Sequence, residues 1–199
     1  MASQKRDHLV ATALALFNKQ GYRATGIDNI LAESGVAKMT LYNHFKSKDE
    51  LIIAVLSKRD EEFMSWIRNA MTRLLKQQKG DPRLAKLMVF FDALNEWFNS
   101  DTFCGCNFIN ASIEFKRKDD PIHAASAAHK KLVIQMLQEF LAELHLENVH
   151  QVARQIHMLI EGAIAMAINL DDKSTALLAK ETIIRLLNTY PITPPLKLS

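Results

Sequence analysis

Residues 21–51 read GYRATGIDNILAESGVAKMTLYNHFKSKDEL, and the punctuation of that stretch decides the fold. Gly21 stops a helix predicted from about Gln4 to Gln20, in which Leu9, Ala13, Leu16 and Phe17 recur at helical spacing. Thr25-Gly26-Ile27-Asp28 has the form of a capping box, whose hydroxyl and carboxylate suit the orphan amides of a short helix ending near Ser34. Gly35 then supplies a turn, and a second short helix is predicted over about Ala37 to His44. In that helix Val36, Leu41 and Phe45 face inward and leave Lys38, Met39, Thr40, Tyr42 and Asn43 outward. Ser47-Lys48-Asp49-Glu50 is a further capping box. It opens a long helix carried by Leu51, Val55, Phe63, Ile67, Ala70 and Leu74 towards Lys79-Gly80. Two short helices joined by a glycine turn inside a three-helix unit make helix-turn-helix geometry.

Outward from this unit the chain reads as helical throughout. It has 199 residues, 48% of them hydrophobic, enough for a real core, but six Gly and five Pro leave little material for hairpin turns. Asp81-Pro82 and Asp120-Pro121 each place an N-cap before proline at the first helical position, so helices start at Pro82 and Pro121. The first of these is predicted to reach about Asn99 and the second about Leu144, with a short helix near Cys106 to Lys116 between them. Further helices are expected from Asn148 to Leu170 and from Ser174 to before Pro191. The expected fold is all-α with about nine helices, divided into a helix-turn-helix domain at 1–48, a helical ligand-binding and dimerisation domain at 49–190, and a tail at 191–199.

Charge is unevenly spread. Residues 1–48 hold seven Lys or Arg against three Asp or Glu, and the rest hold eighteen against nineteen, so the net +3 originates at the amino end. Such an excess suits a phosphate backbone or an anionic membrane, and equally an ordinary solvated face. The apolar run Leu9 to Phe17 lacks a cleavage site behind it and is read as helix, not as an export signal. Glu161 interrupts the longest apolar candidate for a membrane span, Leu159 to Leu170, and a cytoplasmic protein without membrane contact is expected. Cys104 and Cys106 are too few for a disulfide scaffold or a structural zinc site. His150, His157 and Glu161 share a helix face, yet core or exposed histidines are the commoner explanation, and neither metal nor cofactor is expected. No nucleophile turn, phosphate loop, zinc helix or paired carboxylate argues for an enzyme.

The amino-terminal quarter resembles the tetracycline-repressor (TetR) family. The resemblance rests on Phe17, Gly21 to Thr25, Ile30-Leu31-Ala32, Gly35-Val36 and most specifically Thr40 to Leu51. Ala24, where that family often has threonine, and Ala37, where serine is common, each remove one polar contact at a helix start. The resemblance implies a DNA-binding transcription regulator in which the helix from Ala37 enters the major groove of operator DNA. Lys38, Met39 and Thr40 would then lie nearest base edges with Asn43 on the same outward face, while Thr25, Tyr42, His44 and Lys48 match positions that contact phosphates. Repression relieved by a small-molecule effector is what the family implies.

Beyond the first quarter only the layout resembles the family, and residue chemistry carries the expectations. Phe63, Trp66, Phe91, Trp97 and Phe108 concentrate aromatic surface, and Asn107, Asn110, Glu114, His129 and Glu161 are candidate polar groups for an effector pocket among them. The last two helices are apolar on more than one stripe. A homodimer is therefore expected, with Ile156, Ile160, Ile164, Ile183 and Leu187 at its interface. Cys104-Gly105-Cys106 near a helix start offers an alternative signal, a thiol that responds to oxidation.

Overall fold

The computed structural model describes residues 2–192 and Leu196, with side chains from Gln4 onward, and among them it contains nine α-helices and no strand. The first three are α1 (Ala2–Gln20), α2 (Ile27–Ser34) and α3 (Lys38–His44). Leu9, Val10, Ala13 and Phe17 of α1, Ile30 of α2, and Leu41 of α3 with the adjoining Phe45 form one buried cluster. Gly21 and Gly35 take the left-handed backbone that ends α1 and α2, with φ of 88° and 64°. Each donates its N–H back into the helix it ends, to Phe17 O and Leu31 O.

The long α4 (Lys48–Leu75) stops short of the expected Lys79-Gly80. Its start is built as predicted: Ser47 Oγ accepts the Glu50 N–H at 3.2 Å. The Glu50 carboxylate reaches back one residue further than a standard capping box, to the Lys46 N–H at 2.7 Å. The Thr25 box is not built. Gly26 caps α2 without a side-chain bond, because the Thr25 hydroxyl turns to the end of α1 and donates to Gly21 O at 2.7 Å.

The remaining helices are α5 (Ala85–Phe98), α6 (Asn107–Glu114), α7 (Pro121–Leu141), α8 (Val149–Asn169) and α9 (Thr175–Leu187). Both Asp-Pro starts hold. Asp81 accepts from the Arg83 N–H, opening a 3-10 turn before α5, and Asp120 accepts from the Ile122 N–H at 2.8 Å. The expected tail, 191–199, lies outside the described residues except for Pro191, Ile192 and Leu196.

The chain forms two compact units, 1–63 with 106–129, and 64–105 with 130–199. The sequence reading placed its boundary at 48, whereas packing groups α6 and the first part of α7 with the amino-terminal helices. In the second unit α9 packs on both α5 and α8, around Leu87, Phe91, Leu94 and Phe98 with Ile156, Ile183 and Leu187. No described helix is long and apolar enough to cross a membrane.

Candidate nucleic-acid interface

The outward face of α3 is the site to which the sequence pointed, and its exposure follows from the burial of Leu41 on the opposite side. Met39 is 77% exposed and Tyr42 45%, and Lys38 and Asn43 are exposed with them. Apolar and aromatic side chains so placed on a helix of seven residues add nothing to the core that anchors it. The Lys38 ammonium stands 3.9 Å from Asp28 Oδ1. A contact that long between exposed groups contributes little in water and leaves the lysine able to reach a base edge. Ala37 caps α3 without a side-chain bond, as its lack of a hydroxyl requires.

Lys48 and His44 flank this face. The Lys48 ammonium donates to Arg23 O at 3.1 Å, and burial, opposed by Asp49 and Glu114, holds its pKa below the ordinary value. An ammonium has three donors, so this bond leaves others for a phosphate oxygen. His44 is half-buried, its ring 6.2 Å from that of Phe45. Thr25 departs from expectation. It is fully buried and its only hydroxyl hydrogen is engaged by Gly21 O, so its side chain is no donor to a phosphate.

The ten residues expected around an effector are not gathered in one unit. Phe63, Asn107, Phe108, Asn110, Glu114 and His129 belong to the first, and Trp66, Phe91, Trp97 and Glu161 to the second. Within the first unit three of them do meet. His129 is buried, its ring stacked on Phe108 at 3.7 Å and edge-on to Phe63 at 6.4 Å. Its Nδ1 lies 2.6 Å from Asp60 Oδ1, a partner 69 positions away that no local pattern marks. Asn110 is exposed, and the Glu114 carboxylate accepts the backbone N–H groups of Tyr22 and Arg23. In the second unit Phe91 is fully buried against Phe90, and Trp97 packs on Phe98 and Phe103. Trp66 is 39% exposed, and Glu161 accepts from Lys130 at 2.8 Å. A separate cleft of about 260 Å³ lies on the first unit, lined by Arg6, Val10 and Leu14 of α1 and Lys58 and Glu62 of α4, none of them expected.

The five interface candidates also need correction. Ile156, Ile160, Ile164, Ile183 and Leu187 are each at least 96% buried within the single chain, because they form the stripe by which α8 and α9 pack into their own unit. The second apolar stripe is real but consists of other residues. Met158 (67% exposed), Met166, Ile168, Leu177 and Leu178 stand outward on these two helices. Cys104 is exposed and Cys106 buried, and the tertiary fold brings the Lys173 ammonium over the Phe103 ring, next in sequence to Cys104, at 4.8 Å.

A family model described as bacterial regulatory proteins, tetR family, matches residues 9–55. The solved structure of SCO4454, a TetR-family transcriptional regulator from Streptomyces coelicolor, is 30% identical, covering 92% of this chain and 95% of that one with a TM-score of 0.79. The transcriptional activator FasR of Mycolicibacterium smegmatis is 40% identical over 68 residues, 34% of this chain and 31% of its own length. The transcriptional repressor NemR of Escherichia coli is 26% identical over 136 residues, 68% of this chain and 66% of that protein. The chain therefore spans less than two thirds of FasR and of NemR. The crystal structure of NemR in its reduced form shares the fold, with a TM-score of 0.75 at 21% identity.

Proposed function

The chain belongs to the TetR family of bacterial transcriptional regulators, and from that membership we propose that it acts in the cytoplasm as a homodimeric repressor, released from operator DNA by a small molecule. One observation carries the DNA-reading part. The α3 helix turns Lys38, Met39, Tyr42 and Asn43 away from the core as a single exposed face. A helix of this size fits the major groove, where lysine donates to guanine O6 or N7, threonine bonds a base or touches a thymine methyl, and methionine offers apolar contact. Thr40 supplies that hydroxyl, and Tyr42, His44 and Lys48 are the phosphate contacts of this reading.

Pairing is supported by the outward methionine and leucine stripe of α8 and α9, since exposed apolar area of that kind marks an interaction surface. Two copies joined along it would present two α3 helices to half-sites about 34 to 36 Å apart. For the effector, the stacked Phe108 and His129 with Phe63 offer an apolar surface carrying one polar edge. Selection of duplexes from a random library by the purified protein tests the reading directly. An enriched sequence is expected, and Lys38→Ala should relax choice at one base position by about 1 to 3 kcal/mol. A library that stays unenriched refutes it.

A second reading takes oxidation as the signal. It is supported by the exposed Cys104, by the Lys173 ammonium over its neighbour Phe103, and by likeness to a protein crystallised in a reduced form. Under this reading peroxide weakens DNA binding of the wild type and leaves Cys104→Ser unaffected; equal loss in both rejects it.

A further inference from the structure

The turn between α1 and α2 is gripped by α6 from one side. Both carboxylate oxygens of Glu114, the last residue of α6, are engaged there: Oε1 accepts the Tyr22 N–H at 2.9 Å and Oε2 the Arg23 N–H at 2.7 Å. The Glu114 carbonyl accepts the Arg23 Nε–H at 2.8 Å, and the same guanidinium lies over the Phe115 ring at 4.9 Å. The other end of α6 joins in, since the Tyr22 hydroxyl donates to Asn107 O at 3.2 Å. Gly21 completes the fit, because a Cβ there would stand 3.2 Å from Glu114 Oε1 and its φ of 88° suits glycine.

From its other side the turn receives Lys48. The Arg23 carbonyl that accepts the Lys48 ammonium belongs to the residue whose N–H and side chain Glu114 holds. Glu114 and Arg23 both act on the Lys48 charge, in opposite directions. A carboxylate taking two consecutive backbone N–H groups forms charge-assisted bonds, stronger than neutral ones, and it fixes the two peptide planes that lead into Arg23, while the bond from Arg23 Nε to Glu114 O holds the same residue by its side chain. Glu114 thus bears on Lys48 through one rigid turn.

We propose that Glu114 is a positioning residue for DNA binding: by clamping the Gly21–Arg23 turn it sets where the Lys48 ammonium meets phosphate. The proposal rests on the reading of Lys48 as a phosphate contact and adds to it the residue that holds that contact in place. Loss of the clamp would free Arg23 O to drift and the Lys48 ammonium with it, weakening binding without touching the bases.

A double-mutant cycle tests it, using the duplex enriched by the wild type and measuring affinity for wild type, Glu114→Gln, Lys48→Ala and the double variant. Glutamine keeps the size of the side chain but replaces one acceptor oxygen by a donor. Glu114→Gln should weaken binding at least about threefold when Lys48 is present and by a smaller factor when it is alanine, as residues in one network do. A purely structural role would weaken both backgrounds equally, and that additivity overturns the clamp while leaving the regulator reading intact. A wild type that enriches no duplex overturns both. Hydrogen exchange in the wild type checks the geometry whatever the variants do: the Tyr22 and Arg23 amides, which precede α2, should exchange slowly, and exchange at the rate of a solvated turn contradicts the clamp.

Discussion

In the proposed homodimer, replacing Met158 by Ala should weaken the pairing, and the size of the effect can be worked from its exposure. The side chain stands 67% exposed on α8 in the single chain. Burying a whole methionine side chain contributes about 1.5 to 3 kcal/mol, so covering the exposed two thirds is worth about 1 to 2 kcal/mol. A twofold interface uses every residue twice, which doubles the figure to about 2 to 4 kcal/mol. At 1.4 kcal/mol for each factor of ten, the dissociation constant should rise roughly 30- to 700-fold. Met158→Arg should go further by setting an unpaired charge in the interface. Sedimentation across a concentration series, or light scattering, measures the shift, and circular dichroism confirms that the fold persists, since Met158 contributes little to its own core. The control is Ile160→Ala, one residue pair along the same helix but 3% exposed, which should lower folding stability by about 2 to 5 kcal/mol. A dimer whose dissociation constant is unchanged by Met158→Arg would refute the assignment of this face, and a wild type monomeric at micromolar concentration would refute the dimer itself.

Two further outcomes follow from single residues in the second unit. Gly105 holds φ at 85°, and a Cβ there would collide with Ile168 Cδ1, so Gly105→Ala should cost about 1 to 3 kcal/mol and lower the melting midpoint by roughly 3 to 10 °C; an unchanged midpoint would show that the loop relaxes around alanine. The pKa of His157 is held below its ordinary 6.5, chiefly by burial and against the pull of the Glu161 charge. The imidazole is then favoured neutral in the fold, and the unfolded chain takes up the proton first as pH falls. The stability this group contributes is therefore present above about pH 6.5 and is lost as pH falls through the depressed folded value. Melting at pH 7 and pH 5 should show a loss that shrinks in His157→Gln, and an identical loss in both proteins would contradict it.

The helix order was legible because its signals are local. Gly21, Gly35, the Ser47 cap and the two Asp-Pro starts each act within a few residues, so the chain alone placed nine helices and exposed the Lys38 to Asn43 face. Residue periodicity likewise showed that α8 is apolar on more than one stripe, but not which stripe its own chain covers. Only packing against α9 within its own unit decided that Ile156, Ile160 and Ile164 turn inward and Met158 outward, since both sets satisfy the same 3.6-residue spacing. The side chains with a choice of partner were illegible for the same reason. Thr25 serves α1 and not α2, Glu114 closes on a turn 91 positions away, and Asp60 finds His129 across 69. A hydroxyl or carboxylate takes whatever donor or acceptor folding brings within about 3 Å, and that distance is set by how helices far apart in the chain pack together.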